Sequence, residues 1–469
     1  MTGVLNFIFF MLVLGFICYT FLVLIWYIVT AVTAMRAMKK AEGIHETEPY
    51  EDRLQSDDIP PVSILVPGYN EEVSVEGTVK SLLGLRYQAF EIIIVNDGST
   101  DNMLNTAIEA FRMKKIEQVV RRYVSSKPVK AVYQSEIHRN VYLIDKENGG
   151  KADALNAGIN ASNYPYVCSI DADSVLERDA LIKAVQPIID GNGEVIAVGG
   201  SIRIANSSSI ERGEIMNVTV SKRPVVIMQV IEYFRAFLIG RLGMSHFNIL
   251  LIVSGAFGLF EKSAVIAAGG YRTDTVGEDM ELVVRMHRTA RENNRKSKIS
   301  YIPDPVCWTE APETAAVLRR QRRRWHQGLT ETFWIHRSMF FRKKYGTVGW
   351  IGMPVFFLIE WCGPVFELLG YGLLLWALLF GEVNAVFAII LFLLMIMMGS
   401  LLSVTSVLLE EQGNGRHTNV KDLDRLFWYA WTESFWYRPL TVFWRVEGIW
   451  KAIRRSKDWS KAERKGISS

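Results

Sequence analysis

The sequence predicts an α/β domain flanked on both sides by apolar helices long enough to cross a bilayer. Between residues 61 and 312, short apolar strands alternate with helical segments. This alternation is typical of a mostly parallel sheet covered by helices on both faces. On the N-terminal side, the run Val4 to Met35 carries no charged residue, and about 20 residues suffice for one crossing. A second apolar block begins at Val348.

The α/β prediction depends on particular segments. The predicted strands are "VSILVPGYN", "FEIIIVNDGSTD", "VYLID" and "YVCSIDADS", each ending in a turn or a loop. The predicted helices are "EEVSVEGTVKSLLGL", "KADALNAGINAS" and "MELVVRMHR". In sheets of this kind ligands bind beyond the carboxyl ends of the strands, which is where the acidic turns of this chain lie.

Composition narrows the class of protein. The 469 residues have a formal net charge of only +4, so the chain as a whole is not a polyanion binder. Hydrophobic residues make up 49% and are concentrated in blocks. The cysteines show no paired spacing, so neither a disulfide framework nor a cysteine zinc site is expected. They are Cys18, Cys168, Cys307 and Cys362.

The N-terminal segment predicts both an anchor and an orientation. Residues 1–40 are expected to form a transmembrane helix, and the polar, acidic residues 41–60 a linker. The basic residues Arg36, Lys39 and Lys40 follow the apolar run instead of preceding it, unlike those of a cleavable signal peptide. The positive-inside rule then puts the domain at residues 61–312 in the cytosol.

The C-terminal third predicts further membrane segments. Residues 347–381 are expected to form a broken or re-entrant segment leading into a transmembrane helix, and residues 382–410 a second crossing. Residues 411–469, with an aromatic block and a basic tail, are expected to be cytosolic or interfacial. Glu360 and Glu367 either line a path for a polar polymer or mark where the helix surfaces, and both interpretations stay open.

Acidic and glycine-rich turns mark a candidate ligand site. Asp97, in "NDGSTD", and the pair Asp171 and Asp173, in "DADS", follow predicted strands. Lys151 follows two glycines and opens a helix, an arrangement that suits an anion. Hard carboxylate oxygens suit Mg²⁺ or Mn²⁺ carried on a diphosphate. Each motif alone is an ordinary turn, but their occurrence in series favours one site.

Two further motifs lie closer to the C-terminus. Glu278 and Asp279, in "GED", precede a helical run, where acidic residues are also favoured by the helix dipole. Residues 313–346 predict amphipathic interfacial helices. Gln321, Arg324 and Trp325 are spaced i, i+3 and i+4, so they share one helix face. The neighbouring arginines are expected to anchor lipid headgroups; they are Arg319, Arg320, Arg322 and Arg323.

In combination these motifs resemble the membrane-embedded family 2 glycosyltransferases, which include cellulose synthase, hyaluronan synthase and poly-N-acetylglucosamine synthase. The similarity covers about Pro61 to Gly328 and rests on "VPGYNEE", "NDGSTD", "NGGKADALNAG", "DADS", "SGAFGLF", "GED" and "QRRRW". It implies an α/β GT-A (Rossmann-like) cytosolic glycosyltransferase domain with α-helical transmembrane and interfacial helices. It also implies a multi-pass protein of the plasma membrane.

The resemblance implies a role for each matching residue. A nucleotide-sugar site would comprise Pro67, Tyr69, Glu71, Asp97, Lys151 and Asp171, with Tyr69, Glu71 and Asp97 holding the uracil and ribose. Asp173 would ligate the Mg²⁺ or Mn²⁺ ion. The catalytic group would be Glu278, Asp279, Gln321, Arg324 and Trp325. Within it, Asp279 would act as the general base, and an inverting transfer would need only one such carboxylate.

The leading functional hypothesis is processive transfer of glucose or N-acetylglucosamine from a UDP-sugar to a growing β-linked polysaccharide. The polymer would be secreted through the enzyme's own membrane segments. The alternatives are transfer of a single sugar to a membrane lipid and a non-enzymatic nucleotide-binding membrane protein. The expected partners are the UDP-sugar, the polysaccharide and the lipid bilayer, with no nucleic acid. An accessory membrane or regulatory subunit stays open.

Overall fold

The computed structural model describes residues 2–47, 59–211, 214–380, 385–414 and 419–454. Most of the predicted linker, residues 48–58, lies outside these ranges. The strands are β1 (Val62–Gly68), β2 (Phe90–Asn96), β3 (Met113–Ile116), β4 (Val129–Ser135), β5 (Val141–Lys146), β6 (Tyr166–Ile170), β7 (Val175–Leu176), β8 (Val195–Ile204), β9 (Ser209–Glu211), β10 (Glu214–Asn217), β11 (Phe257–Glu261) and β12 (Lys298–Thr309).

The α-helices begin with the long N-terminal helix and end with three long C-terminal helices. They are α1 (Thr2–Thr47), α2 (Val75–Leu83), α3 (Met103–Ala110), α4 (Lys151–Ala161), α5 (Ala180–Asp190), α6 (Pro224–Phe234), α7 (Leu242–His246), α8 (Lys262–Ala267), α9 (Glu278–Glu292), α10 (Ala315–Ile335), α11 (Met353–Phe356), α12 (Cys362–Phe380), α13 (Ala385–Asn414) and α14 (Val420–Ile453). The four segments predicted as strands and the three predicted as helices in the α/β domain form strands and helices in the structure.

The main sheet within the described residues has ten strands in the order β3-β4-β5-β2-β1-β6-β11-β8-β12-β7. Its centre, β5-β2-β1-β6, is parallel, as is the pair β8–β12. However, β11 runs antiparallel to both β6 and β8, and β3, β4 and β7 add antiparallel edges. The prediction of a mostly parallel sheet was therefore wrong for the sheet as a whole. The pairing of β11 with β6 joins segments about 90 residues apart, which local periodicity does not encode.

The parallel centre places the glycine-rich turn at one edge of the sheet. The side chains of β1 from Val62 to Val66 are all buried, as expected for a strand covered on both faces. Helix α4 packs closely against this strand, since a Cβ added at Gly158 would lie 3.1 Å from Leu65 Cδ2. Because α4 follows β5 directly and the turn before it bonds Asp97 at the end of β2, the start of α4, with Lys151, lies beyond the carboxyl ends of these strands.

Two helical stretches of the described residues are long and apolar enough to cross a membrane, Phe10–Lys40 and Val348–Trp376. Wider π-helical turns interrupt the second at Val348–Gly352 and Phe357–Trp361. Helix α13, which covers most of the second predicted crossing, is a continuous helix. The membrane topology itself stays a prediction.

Three ion pairs, of which Arg203–Glu410 is fully buried, connect the sheet domain with α12, α13 and α14. Arg203 of β8 donates to Glu410 of α13, and each of these two side chains is about 3% exposed. Arg235 donates to Glu433 of α14 at 2.9 Å. Glu367 of α12 accepts two hydrogen bonds from Arg438, at 2.9 and 2.7 Å. A buried charge that loses its partner is strongly destabilising, so these pairs fix how the helices and the sheet pack.

Candidate active site

Lys151 lies at the centre of a cleft at the carboxyl ends of the strands. Its Nζ atom is 2.5 Å from Asp171 Oδ1 and 3.9 Å from Glu278 Oε1. It also donates to the backbone oxygen of Gly255 at 3.2 Å. Three motifs that are far apart in the sequence, "GGK", "DADS" and "GED", therefore meet at one ammonium group.

Asp279 lies across Gly255 from Lys151, and backbone N–H groups hold its carboxylate in place. Its Oδ2 accepts from the Gly255 N–H at 3.1 Å, and its Oδ1 accepts from the Met280 N–H at 2.8 Å. A Cβ at position 255 would lie 3.2 Å from Lys151 Nζ and 3.3 Å from Asp279 Oδ2. Glycine at this position lets the backbone lie between the cation and the carboxylate.

The cleft is narrow in this structure, with a free volume of about 10 Å³, and its lining is partly polar and partly apolar. The residues that line it are Lys151, Leu155, Ser169, Ser254, Gly255, Phe260, Tyr271, Glu278 and Asp279. Tyr271 is fixed by Asn156 of α4, which accepts from the Tyr271 N–H at 2.7 Å and donates to its carbonyl at 2.9 Å. The helix that presents Lys151 therefore also positions this aromatic wall.

The charged groups of the cleft shift one another's pKa values. Burial works to lower the pKa of Lys151, but the carboxylates of Asp171 and Glu278 outweigh it and hold that pKa above its ordinary value. Burial raises the pKa of Glu278, Lys151 opposes the shift and Asp279 adds to it. Arg324 also acts on Glu278, lowering its pKa. The cleft thus keeps a fixed positive charge next to a carboxyl group that resists ionisation.

Asp97 shapes the glycine-rich turn and does not line the cleft. Its carboxylate accepts from the N–H groups of Gly149 at 3.0 Å and Gly150 at 2.7 Å, and from Lys146 Nζ at 2.5 Å. Gly150 has a φ of +86°, which favours glycine. Burial raises the pKa of Asp97 and the Lys146 ammonium opposes the shift. In this structure Asp97 is 2% exposed, so its contribution to a ligand would come through the turn.

The other predicted nucleotide-binding residues follow β1. Pro67 lies opposite Val95 of β2, and the Asp97 N–H donates to the Gly68 carbonyl at 2.9 Å, which joins the two strand ends. Tyr69 is 38% exposed and can therefore meet a ligand. Glu71 accepts from Ser74 Oγ at 2.8 Å.

Asp173 lies in the turn after β6 and is 6% exposed. No group of three or more His, Cys, Asp or Glu side chains suited to a metal ion occurs in the part of the chain that the structure describes. One or two carboxylates fit an ion such as Mg²⁺, which usually takes its remaining ligands from phosphates and water. The donor set therefore fits a divalent ion that arrives with a diphosphate.

Gln321, Arg324 and Trp325 lie on α10, which begins after the N-cap Thr314. Trp325 is 42% exposed, and the guanidinium of Arg322 lies over its ring, 4.2 Å from the centroid. Helix α10 contacts the loop before Asp279 directly, because a Cβ at Gly328 would lie 2.7 Å from the Gly277 Cα. The structure therefore brings this motif against the wall of the cleft that carries Glu278 and Asp279.

The expectation that all the neighbouring arginines anchor lipid headgroups was wrong for Arg322. Its side chain is 1% exposed and donates to Glu232 Oε2 of α6 at 2.7 Å. Arg319 and Arg323 pair with Glu447 of α14 at 2.9 and 3.0 Å. These arginines reach a neighbouring helix because α14, more than 100 residues later in the chain, packs along α10. Arg320 is exposed.

Three parts of the site were not predicted as such. Gly255 lies in the "SGAFGLF" segment, whose glycines were a signal of close backbone approach. Asn156 lies within "NGGKADALNAG", but nothing in its spacing indicates that it holds Tyr271. Glu331 on α10 binds the loop before Asp279, and its polar helix position alone does not distinguish it from a solvent-exposed residue.

A mixed sheet with a glycine-rich turn and a carboxylate–lysine cleft at its strand ends is typical of the GT-A class of glycosyltransferases, and the comparisons with known proteins agree. The model of the Glycosyl transferase family 2 domain matches residues 63–264, and that of Glycosyl transferase family group 2 matches residues 166–404. The chain belongs to the family 2 glycosyltransferases, which confirms the predicted family and the enzyme class.

Curated relatives include the poly-β-1,6-N-acetyl-D-glucosamine synthases of Staphylococcus aureus (strain COL) and Staphylococcus epidermidis. The first is 33% identical over 278 residues, 59% of this chain and 56% of the relative. The second is 34% identical over 280 residues, 58% of this chain and 56% of the relative. The matched region thus spans little more than half the length of these relatives.

Among solved structures, the chain is similar to a mannosyltransferase from Pyrobaculum calidifontis that was determined in complex with GDP-Man and Mn²⁺. The TM-score is 0.51 at 17% identity, over 92% of this chain and all of that chain. At this identity the similarity concerns the fold alone, and it confirms the predicted α/β GT-A class.

Proposed function

We propose that this chain transfers N-acetylglucosamine from a UDP-sugar to a growing β-linked polysaccharide, with inversion at the anomeric carbon. The observation that carries the proposal is the cleft in which Lys151, Asp171, Glu278 and Asp279 meet. Similarity to two poly-β-1,6-N-acetyl-D-glucosamine synthases favours N-acetylglucosamine over glucose as the donor sugar.

On the donor side, the cleft meets the charge of the leaving group. Lys151 keeps its proton, because its carboxylate neighbours raise its pKa, and it would stabilise the diphosphate as negative charge develops there. Asp173, with Asp171 beside it, would hold Mg²⁺ or Mn²⁺, which supplies further compensation of that charge. Tyr69, Glu71 and the turn shaped by Asp97 would bind the nucleoside.

On the acceptor side, Asp279 would take the proton of the attacking hydroxyl group. The acceptor oxygen forms the new bond to the anomeric carbon, and the bond from that carbon to the diphosphate oxygen breaks. The proton goes to Asp279, and UDP leaves next to Lys151. A positioned carboxylate base contributes about 10²–10⁴-fold to such a step. Trp325 would offer its ring to the acceptor sugar, and Arg324 would reach the diphosphate.

The same proposal places the enzyme in the plasma membrane with the sheet domain in the cytosol. Support comes from the two apolar helices Phe10–Lys40 and Val348–Trp376 and from the basic residues that follow the first. Repeated addition would feed the polymer between the apolar helices. An accessory membrane subunit for export or control is part of this proposal.

The test uses the full chain in detergent or in lipid vesicles with UDP-N-acetylglucosamine, UDP-glucose and added Mg²⁺ or Mn²⁺. UDP release and a high-molecular-weight product are expected, and chelation with EDTA should stop both. Asp279→Asn should reduce turnover by at least about 10²-fold. Asp190→Asn is the matched control, since Asp190 is exposed and bonds Gln186 within α5.

Three results would contradict parts of the proposal. Full turnover by Asp279→Asn would remove Asp279 from the role of base. A lipid-extractable product bearing a single sugar would replace polymer synthesis by lipid glycosylation. Release of UDP from UDP-glucose alone would overturn the choice of N-acetylglucosamine.

A further inference from the structure

The loop that precedes the proposed base is in direct backbone contact with α10. Gly277 and Gly328 lie so close that a Cβ on either would come within 2.8 Å of the other's Cα atom. Gly277 immediately precedes Glu278 and Asp279, and Gly328 follows Trp325 by three residues. The distance between the base and the tryptophan is therefore set where these two glycines touch.

Glu331, one turn beyond Gly328, fixes this contact with hydrogen bonds. Its Oε2 atom accepts from Thr275 Oγ1 at 2.8 Å and from the Val276 N–H at 3.0 Å. Its Oε1 atom accepts from Gln327 Nε2 at 3.0 Å. Hydrogen bonds that a carboxylate accepts are stronger than those between neutral groups, and here they join α10 to the loop at residues 275–277.

Other contacts between α9 and α10 lie further along the two helices, where His336 bonds Glu281 at 3.0 Å and Met280 packs in one cluster with Leu329. At the loop itself, the side chain of α10 that bonds it is Glu331. Two glycines have no side chains to interlock, so their contact resists sliding only weakly. The Thr275 hydroxyl also accepts from the Gly277 N–H at 3.3 Å, so the bond from Glu331 extends to the residue before Glu278. A shift of about 1 Å at a reacting group can cost about 10²-fold in rate.

We propose that Glu331 is a positioning residue that fixes the Asp279 loop against the helix carrying Arg324 and Trp325. Glu331 contacts neither the cleft lining nor the donor side of the site. It sets the distance between the proposed base, Asp279, and Trp325, whose ring would meet the acceptor sugar. It does so through its hydrogen bonds to Thr275 and Val276. The inference rests on the proposed roles of Asp279 and Trp325.

The test compares Glu331→Ala with Glu331→Gln in the full chain, with kcat and the donor KM measured separately. Glu331→Ala should lower kcat by about 10- to 10²-fold and leave the KM for the UDP-sugar within about two-fold, since Glu331 bonds none of the residues proposed to hold the donor. Glu331→Gln should restore most of kcat. Its amide oxygen can accept both loop hydrogen bonds, and its NH₂ group can donate to Gln327 after that amide flips.

Glu447→Ala is the matched control, because Glu447 also bonds α10, through Arg319 and Arg323, but does not touch the loop. Its kcat should equal that of the wild type. Glu331→Ala with unchanged kcat would overturn the inference, as would Glu331→Gln as impaired as Glu331→Ala. A normal Asp279→Asn enzyme would instead overturn the proposed function, so the two failures are distinguishable.

Discussion

The two walls of the cleft are built in different ways. The wall that we propose for the donor comes from one continuous stretch, in which Asp97, the glycine-rich turn and Asp171 follow parallel strands of the sheet. The wall that we propose for the acceptor comes from segments that meet only in three dimensions: the loop before Asp279 and helix α10, behind which helix α14 packs. The first is held by backbone hydrogen bonds to Asp97, the second by a glycine contact and by ion pairs between helices.

This difference indicates where each wall is vulnerable. Parallel strands bring their carboxyl ends together as a consequence of pairing, so the donor residues need few special contacts. The acceptor wall depends on single side-chain and backbone contacts. If one of them is lost, no strand pairing holds the segments in place. Substitutions of buried residues or of residues that bond the loop on the acceptor side should therefore affect both folding and catalysis, and those on the donor side mainly catalysis.

The largest effect is expected at Arg322, which bonds Glu232 in the interior. Arg322→Ala should lower stability by about 3 kcal/mol, the lower end of the range for a broken buried pair, because Glu232 loses its closest cation but keeps Tyr437 and Arg445. Arg320→Ala, on the exposed side of α10, should stay within about 0.5 kcal/mol of the wild type. Thermal unfolding in detergent measures both. Equal losses would mean that both arginines serve the same surface and would break the comparison.

A somewhat smaller effect, mainly on activity, is expected for Lys151→Ala. Removing the positive charge that we propose faces the leaving group should lower kcat by about 10²–10³-fold. The melting temperature should fall less than for Arg322→Ala, because Asp171 and Glu278, the carboxylates that lose their partner, are partly exposed. Lys80→Ala serves as the control, since Lys80 forms an exposed pair with Glu76. Retained activity would show that the donor wall does not rely on Lys151.

The smallest effect is expected where the acceptor wall is packed by glycines. Gly328→Ala introduces a Cβ 2.7 Å from the Gly277 Cα, and overpacking of this kind costs about 1–3 kcal/mol. The shift should also lower kcat, because the loop before Asp279 must move. Gly372→Ala is a matched helical control with nothing within 4 Å of the added Cβ. A stable, fully active Gly328→Ala enzyme would show that the glycine contact does not set the geometry.

The sequence predicted the donor wall more completely than the acceptor wall. Apolar strands and acidic turns are local patterns, so β1, β2, β5 and β6 and the residues that follow them could be located directly. The antiparallel insertion of β11 could not, because its pairing with β6 and β8 spans long separations. The same holds for Gly255, which has no side chain to suggest a role. Its role follows from its position between Lys151 and Asp279.

By itself the sequence determined the α/β class, the family and the set of residues from which the site is drawn, because hydrophobic periodicity and the order of motifs can be read directly from the amino-acid sequence. Only the tertiary structure decided which arginines of α10 are buried and which contacts fix Asp279 against that helix. Burial of Arg322 depends on Glu232 and on α14, which lie about 90 or more residues away. A charged side chain can be buried as an ion pair only when a segment distant in the sequence supplies its partner. Which segment does so is decided by how the helices pack.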